Sequence, residues 1–91
     1  MSEQAISATI DDTHEASVLS CDGQVLCAIC SVAFPPGRPL ELELRLPEQE
    51  VTLVGRCIGT KKRTDGAFDL RMRLTNLRRE TRETLQRAFT R

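Results

Sequence analysis

Residues 40–46 are LELELRL, a run in which four leucines alternate with three charged side chains. Successive side chains of a β-strand point to opposite faces, so this spacing places every leucine on one face and every charge on the other. The same alternation returns in residues 68–74, FDLRMRL, where Asp69, Arg71 and Arg73 separate the apolar positions. Both runs therefore predict half-buried antiparallel strands.

Turn signals and further apolar runs surround these two strands. The Asp-Gly pairs at residues 22–23 and 65–66 lie between apolar runs, a pattern typical of β-hairpins. Residues 34–39, FPPGRP, predict a rigid turn because prolines fix φ and donate no backbone hydrogen bond. Gly55 and Gly59 indicate bends or bulges inside a long strand. The remaining predicted strands are residues 16–20, 24–31 and 51–62. The second of these is apolar on both faces, so we expect it to be central and buried.

After Asn76, a residue suited to cap a helix, the apolar period changes from that of a strand to that of an α-helix. The apolar stripe of this predicted helix, residues 77–90, consists of Leu77, Thr81, Leu85, Ala88 and Phe89. Five or six short strands with one terminal helix predict an all-β domain, an antiparallel barrel or sandwich with that helix as a lid. Residues 1–13 contain no Lys or Arg and little apolar periodicity. We therefore expect a flexible acidic N-terminus there and a single domain over residues 14–91.

Composition narrows the classes of function. The chain has 91 residues, which is enough for one domain, with three Phe and no Tyr or Trp. So few aromatic residues argue against the stacking platforms of barrels that bind single-stranded nucleic acids. No run approaches the roughly 20 apolar residues of a membrane span, and the first fifteen residues lack the apolar core of a secretory signal. We therefore expect a cytoplasmic protein.

Charge is divided unevenly along the chain. Residues 1–51 carry nine acidic and two basic side chains, whereas residues 52–91 carry four acidic and eleven basic ones. Such asymmetry can complement itself in a homo-dimer, or present a basic face to an acidic partner or a phosphate. The alternative is a solvated surface whose charges segregate only along the sequence.

The cysteines and the single histidine do not indicate a metal site or an active site. Cys27 and Cys30 form a C-x-x-C inside a predicted strand, where alternation points the two thiols to opposite faces. Cys21 and Cys57 are isolated, so we interpret all four cysteines as small apolar residues and predict no metal or cofactor. His14 has no nucleophile beside it in a recognisable motif, which argues against an enzyme.

Three stretches, in this order, resemble the PilZ domain, the bacterial family best known for binding cyclic di-GMP. Residues 18–23, VLSCDG, resemble its (D/N)-x-S-x-x-G segment. Residues 34–40, FPPGRPL, resemble its Pro-Gly turn into a strand of alternating leucines or valines. Residues 65–74, DGAFDLRMRL, with Leu77 and Leu85 after them, resemble its last strand and closing helix. The resemblance covers residues 14 to 91 and implies an all-β fold with one helix, a small antiparallel six-stranded β-barrel closed by the C-terminal α-helix.

The chain departs from the PilZ pattern at the ligand residues. The family binds the dinucleotide with an R-x-x-x-R segment upstream of its first strand, whose guanidinium groups hold phosphate and stack on guanine. Here residues 1–37 contain no Arg or Lys at all. Ser20 and Gly23 match the second motif, but Val18 stands where the family has Asp or Asn. Ser20 and Gly23 are therefore candidate remnant ligand residues, and the alternative is that they form a hairpin turn.

These features lead to two hypotheses about function. The first is a degenerate PilZ-domain protein that acts as a protein–protein adaptor in cyclic di-GMP-related signalling, motility or pilus function, without binding cyclic di-GMP itself. The resemblance implies that relatives without the arginines work in this way. The alternative is binding of cyclic di-GMP, another nucleotide or a nucleic-acid phosphate through the remnant motif and a basic turn formed by Lys61, Lys62 and Arg63.

Overall fold

Six antiparallel strands close into a barrel in the computed structural model, which describes residues 5–75 and 77–89. The strands are β1 (Ile6–Ile10), β2 (His14–Asp22), β3 (Val25–Cys30), β4 (Pro39–Arg45), β5 (Glu50–Lys62) and β6 (Phe68–Thr75). Their order around the barrel is β1-β2-β3-β6-β5-β4, and pairing of β4 with β1 closes the ring. The predicted antiparallel barrel with one C-terminal helix is confirmed.

The alternating sequence runs line the inside of this barrel. Leu40, Leu42 and Leu44 of β4 are at most 2% exposed, and Leu70 and Met72 of β6 are fully buried. Burying a side chain of this size stabilises the fold by about 1.5–3 kcal/mol. The charged residues between them point outward, so both alternating runs take the orientation that the sequence predicts.

The strand β3 is central, between β2 and β6, but only one of its faces is buried. Its inward side chains belong to the core, whereas Val25, Cys27 and Ile29 on the outer face are half-buried. The expectation of burial on both faces is therefore wrong, because a closed barrel has its core on one side of each strand. An apolar row is left on the exterior.

The N-terminal segment contributes a barrel strand, which corrects the expectation of a flexible acidic tail over residues 1–13. β1 pairs along its whole length with β2, and it also pairs with β4. Ala8 and Ile10 are fully buried in the core. The sequence of β1, ISATI, alternates as a strand does, but its small and polar side chains conceal the pattern. Ordered structure therefore begins before His14.

Acidic residues of the N-terminal segment hold the turn after β1. Asp11 and Asp12 adopt left-handed backbone conformations with φ of 53° and 59°, which aspartate tolerates better than most residues. The carboxylate of Asp11 accepts hydrogen bonds from the backbone N–H of Glu41 at 3.0 Å and from the guanidinium of Arg38 at 3.3 Å. Asp11 therefore ties this turn to the start of β4.

One end of the barrel is covered by α1 (Arg79–Phe89), which lines clefts with the β4–β5 turn and with the end of β6. Leu85 is 2% exposed and belongs to the core, and Leu77 packs against it from the segment before the helix. The helix begins at Arg79, two residues later than predicted, and the predicted cap Asn76 lies outside the described residues. In the described part of the chain, no helix is long and apolar enough to cross a membrane.

The loop between β3 and β4 covers the opposite end. Phe34 is 3% exposed, its ring makes an edge contact with His14 at 5.7 Å, and the guanidinium of Arg38 lies 5.2 Å from its centroid. Gly37, with φ of 89°, donates its backbone N–H to the carbonyl of Cys57 at 2.7 Å. The predicted Pro-Gly turn therefore places a buried aromatic side chain, Phe34, at this end of the barrel. His14 packs against that ring.

Candidate docking surface

Outward side chains divide the barrel into a basic and an acidic side. On β5 and β6 they include Arg56, Arg71 and Arg73, and Arg56 lies directly opposite Arg73 in the ladder. On β2 and β4 they include Glu15 and Glu43, which flank β1. Within residues 5–75 and 77–89, none of these three arginines is in an ion pair. The charge asymmetry of the sequence therefore becomes two faces of one barrel.

Two β-bulges, one in β2 and one in β5, carry exposed apolar side chains. The pairing register shifts once in β2, around Leu19, and once in β5, around Ile58. A bulge adds one residue to a strand, so the alternation is interrupted after it: Leu19 and Ser20 are both exposed, and neither Ile58 nor Gly59 is buried. Leu19 is 40% exposed and Ile58 is 37% exposed, and both are among the few large apolar residues on the surface.

One row of paired residues connects the two bulges. It runs from Ser20 of β2 through Cys27 of β3 and Arg71 of β6 to Gly59 of β5. The bulge residues precede the first and the last members of this row. The row therefore crosses four adjacent strands with an apolar residue at each end.

A groove of about 540 Å³ follows this row, and we call it the β2–β5 groove. Its lining includes Leu19, Cys27 and Ile58 together with the charged residues Lys61, Asp69 and Arg71. Most of the lining surface is apolar, and the charged residues lie on the β5 and β6 side. The groove thus combines an apolar floor with a charged rim, a composition suited to binding another protein.

The remnant motif of Ser20 and Gly23 has no side-chain hydrogen-bond acceptor at position 18. Val18 is fully buried and pairs with Ala28, because its side chain points into the core. The bulge at Leu19 turns Ser20 to the outer face, beside the groove. Gly23, with φ of 65°, lies in the two-residue turn between β2 and β3. The geometry of this segment is that of a bulged hairpin.

The basic turn of Lys61, Lys62 and Arg63 does not carry three free charges. The guanidinium of Arg63 donates a hydrogen bond to Asp69 at 2.8 Å, and its Nε lies 3.5 Å from Asp65. The hydrogen bond to Asp69 raises the pKa of Arg63, which keeps this ion pair charged. Lys61 lines the groove, whereas Lys62 is exposed at the end of β5. Lys61 and Lys62 are the last two residues of β5, and neither is in an ion pair within the described residues.

The thiols of the C-x-x-C segment face opposite sides of β3, as the sequence predicts. Cys30 is buried in the core, and Cys27 is half-buried in the groove. Cys57 is also buried, and the pKa of both core thiols is raised by burial. Over the described residues, no group of three or more His, Cys, Asp or Glu side chains is placed to hold a metal ion.

Thiol labelling is expected to distinguish Cys27 from the core cysteines. The thiolate is the reactive form, and burial disfavours it at Cys30 and Cys57. Iodoacetamide at neutral pH should modify the two core cysteines about 100-fold more slowly than Cys27, because they react only after local opening. Peptide mass spectrometry measures these rates, with urea-unfolded protein as the control. Equal rates in the folded protein would contradict this placement.

Leu19 and Ile58 are functional candidates that the sequence prediction missed. Alternation from Val18 and Cys57, which point inward, places both residues outward, but it does not indicate that they lie at the two ends of one row. The available signal is Gly59, since a glycine inside a strand often marks a bulge. That glycine indicates a bend near Ile58, but it does not indicate that a second bulge lies across the barrel.

Comparison with known proteins bears on the fold. No protein-family model and no characterised protein sequence matches the chain. Among solved structures, the chain is similar to the Bacillus subtilis inhibitor of motility (MotI/DgrA), with a TM-score of 0.68 and 13% sequence identity over 97% of this chain and 46% of that one. This chain therefore spans about half the length of that protein. Since MotI/DgrA is a PilZ-domain protein, the likeness shows that this chain has a PilZ-like barrel fold.

Proposed function

We propose that this protein is a PilZ-like adaptor, a non-enzymatic cytoplasmic module of bacteria that binds another protein and does not bind cyclic di-GMP. Its setting is motility, pilus function or related cyclic di-GMP signalling, and the likeness to an inhibitor of motility supports that setting. The observation that carries the proposal is Val18, a buried core residue at the position where the PilZ pattern has Asp or Asn. Residues 1–37 also supply no cation for the phosphates.

The energetics of the missing contacts support this proposal. A hydrogen bond to a charged group contributes about 1.5–3 kcal/mol, so two arginines and one acceptor contribute roughly 5–9 kcal/mol. A micromolar dissociation constant corresponds to about 8 kcal/mol. The losses are therefore as large as the whole binding free energy. Asp12 and Glu15, both exposed near the first strand, add repulsion toward a ligand with two phosphates.

Isothermal titration of the protein with cyclic di-GMP is expected to give no heat beyond dilution. A PilZ domain that carries the R-x-x-x-R motif, titrated in the same buffer, is the positive control. Circular dichroism before and after the titration checks that the barrel stays folded. A saturable signal with a micromolar dissociation constant would contradict the proposed function.

A second candidate function is binding of a nucleotide or nucleic-acid phosphate by the basic side. The arginines of β5 and β6, which have no carboxylate partner within the described residues, favour it, whereas the engagement of Arg63 with two carboxylates weakens it. Phe34 is buried, and Phe68 and Phe89 pack against the core, so the outer face offers no aromatic platform for bases. Salt-sensitive binding of labelled RNA that is lost after K61E and K62E would establish this candidate.

A further inference from the structure

We propose that the β2–β5 groove is the docking site and that its occupant is an acidic amphipathic helix of the partner protein. This inference rests on the proposed adaptor function and assigns that function to one surface. It depends on three features of the described residues: the two bulged apolar side chains, the spacing between them, and the unpaired cations beside them.

The spacing of the bulges, measured around the barrel wall, is slightly larger than the width of one helix. Leu19 on β2 and Ile58 on β5 are separated by three strand spacings, or about 14 Å along the sheet. An α-helix with its side chains is about 10–12 Å wide. A helix lying along β3 and β6 would therefore place its apolar side between these two residues, above Cys27.

Charge selects an acidic helix over a neutral or basic one. Arg71 and Arg73 alternate along β6, and Arg56 lies opposite Arg73 on β5. The one acid of the groove lining, Asp69, is bound by Arg63 and does not offset these cations. A helix with carboxylates on the β6 side would form ion pairs with arginines that lack carboxylate partners within the described residues.

A second copy of this chain fits the groove less well than another protein does. The acidic residues on the exterior around β1 lie on β2 and β4. If the acidic face of one copy docked into the groove of another, the two copies would use different surfaces, and the contact would be head-to-tail. A head-to-tail contact that does not close into a ring continues into an open polymer. The acidic face is also made of strands, and it offers no helix to lie between the bulges.

Amide NMR titrations test the assignment with defined probes. The probe is an 18-residue helical peptide with leucine along one side and glutamate along the other, compared with its lysine-for-glutamate twin and a single-stranded RNA. The glutamate peptide should shift the amides of Leu19, Cys27, Ile58 and Arg71. I58S and R71E should each weaken its binding by about tenfold, whereas V54S and R82E, at exposed positions outside the groove lining, should leave it unchanged.

Each alternative outcome overturns the groove assignment in a different way. Shifts confined to another face, equal binding of the lysine twin, preferential binding of RNA at these residues, or no binding of any probe would each contradict it. The sedimentation coefficient of the protein alone tests for a second copy as the occupant. An increase with protein concentration that is absent in R71E would show that a second copy occupies the groove. A peptide bound on another face leaves the adaptor function intact, whereas micromolar binding of cyclic di-GMP overturns the adaptor function itself.

Discussion

Replacing Gly55 with alanine is expected to destabilise the barrel by about 3 kcal/mol, the upper part of the usual range for overpacking. Gly55 is buried in β5, where it pairs with Leu40 on one side and Leu74 on the other. A β-carbon at this position would lie 2.2 Å from the carbonyl oxygen of Arg73, and no side-chain rotation can relieve a clash with backbone. The β5 and β6 strands would have to separate there. Urea unfolding followed by circular dichroism measures the change.

Gly59→Ala is the matched control for this prediction. It lies in the same strand, four residues later, and a β-carbon there meets no atom within 4 Å. We expect its free energy of unfolding to stay within about 0.5 kcal/mol of the wild type, as for most surface substitutions. Equal effects of the two alanines would show that β5 and β6 do not approach each other closely at Gly55.

Leu85→Ala is expected to lower the free energy of unfolding by about 2–4 kcal/mol. Leu85 is the one helix residue in the core cluster, so its truncation opens a cavity at the barrel end and loosens the whole helix. Gln86→Ala, at an exposed neighbouring position, is the control, because alanine favours helix and removes no packing there. Hydrogen exchange should show faster exchange in the helix for L85A than for Q86A. Equal stability of the two variants would mean that the helix does not close the barrel.

The strands that the sequence predicts most clearly are those whose outward residues are charged. Residues 40–46 and 68–74 alternate clearly because buried apolar side chains alternate there with charged side chains that point outward. β1 was missed because its outward residues are Ser and Thr and one of its buried residues is Ala8, so hydrophobicity varies little along it. β1 lies between β2 and β4, whose edges would otherwise have unpaired backbone N–H and C=O groups. This requirement comes from the tertiary structure, so no local sequence pattern indicates it.

The candidate site was predictable only in part. The loss of the phosphate-binding arginines follows from the sequence alone, because residues 1–37 lack both Arg and Lys. The outward orientation of Ser20 does not follow, because the bulge at Leu19 interrupts the alternation within β2. The groove joins residues that are 39 positions apart along the chain, Leu19 and Ile58, and only the order of strands brings them to one row.

Photocrosslinking in cells that express the protein tests the central claim most directly, namely that the outer face of β3, β6 and β5 binds a protein. A photoreactive phenylalanine is placed at position 58, in the groove, or at position 43, on the acidic side. The account predicts that position 58 gives a crosslinked protein adduct and that the crosslink lies in an acidic segment of that protein. Position 43 should give no such adduct, and R71E should reduce the adduct from position 58. An adduct from position 43 alone, or a nucleotide or nucleic acid crosslinked at position 58, would contradict it.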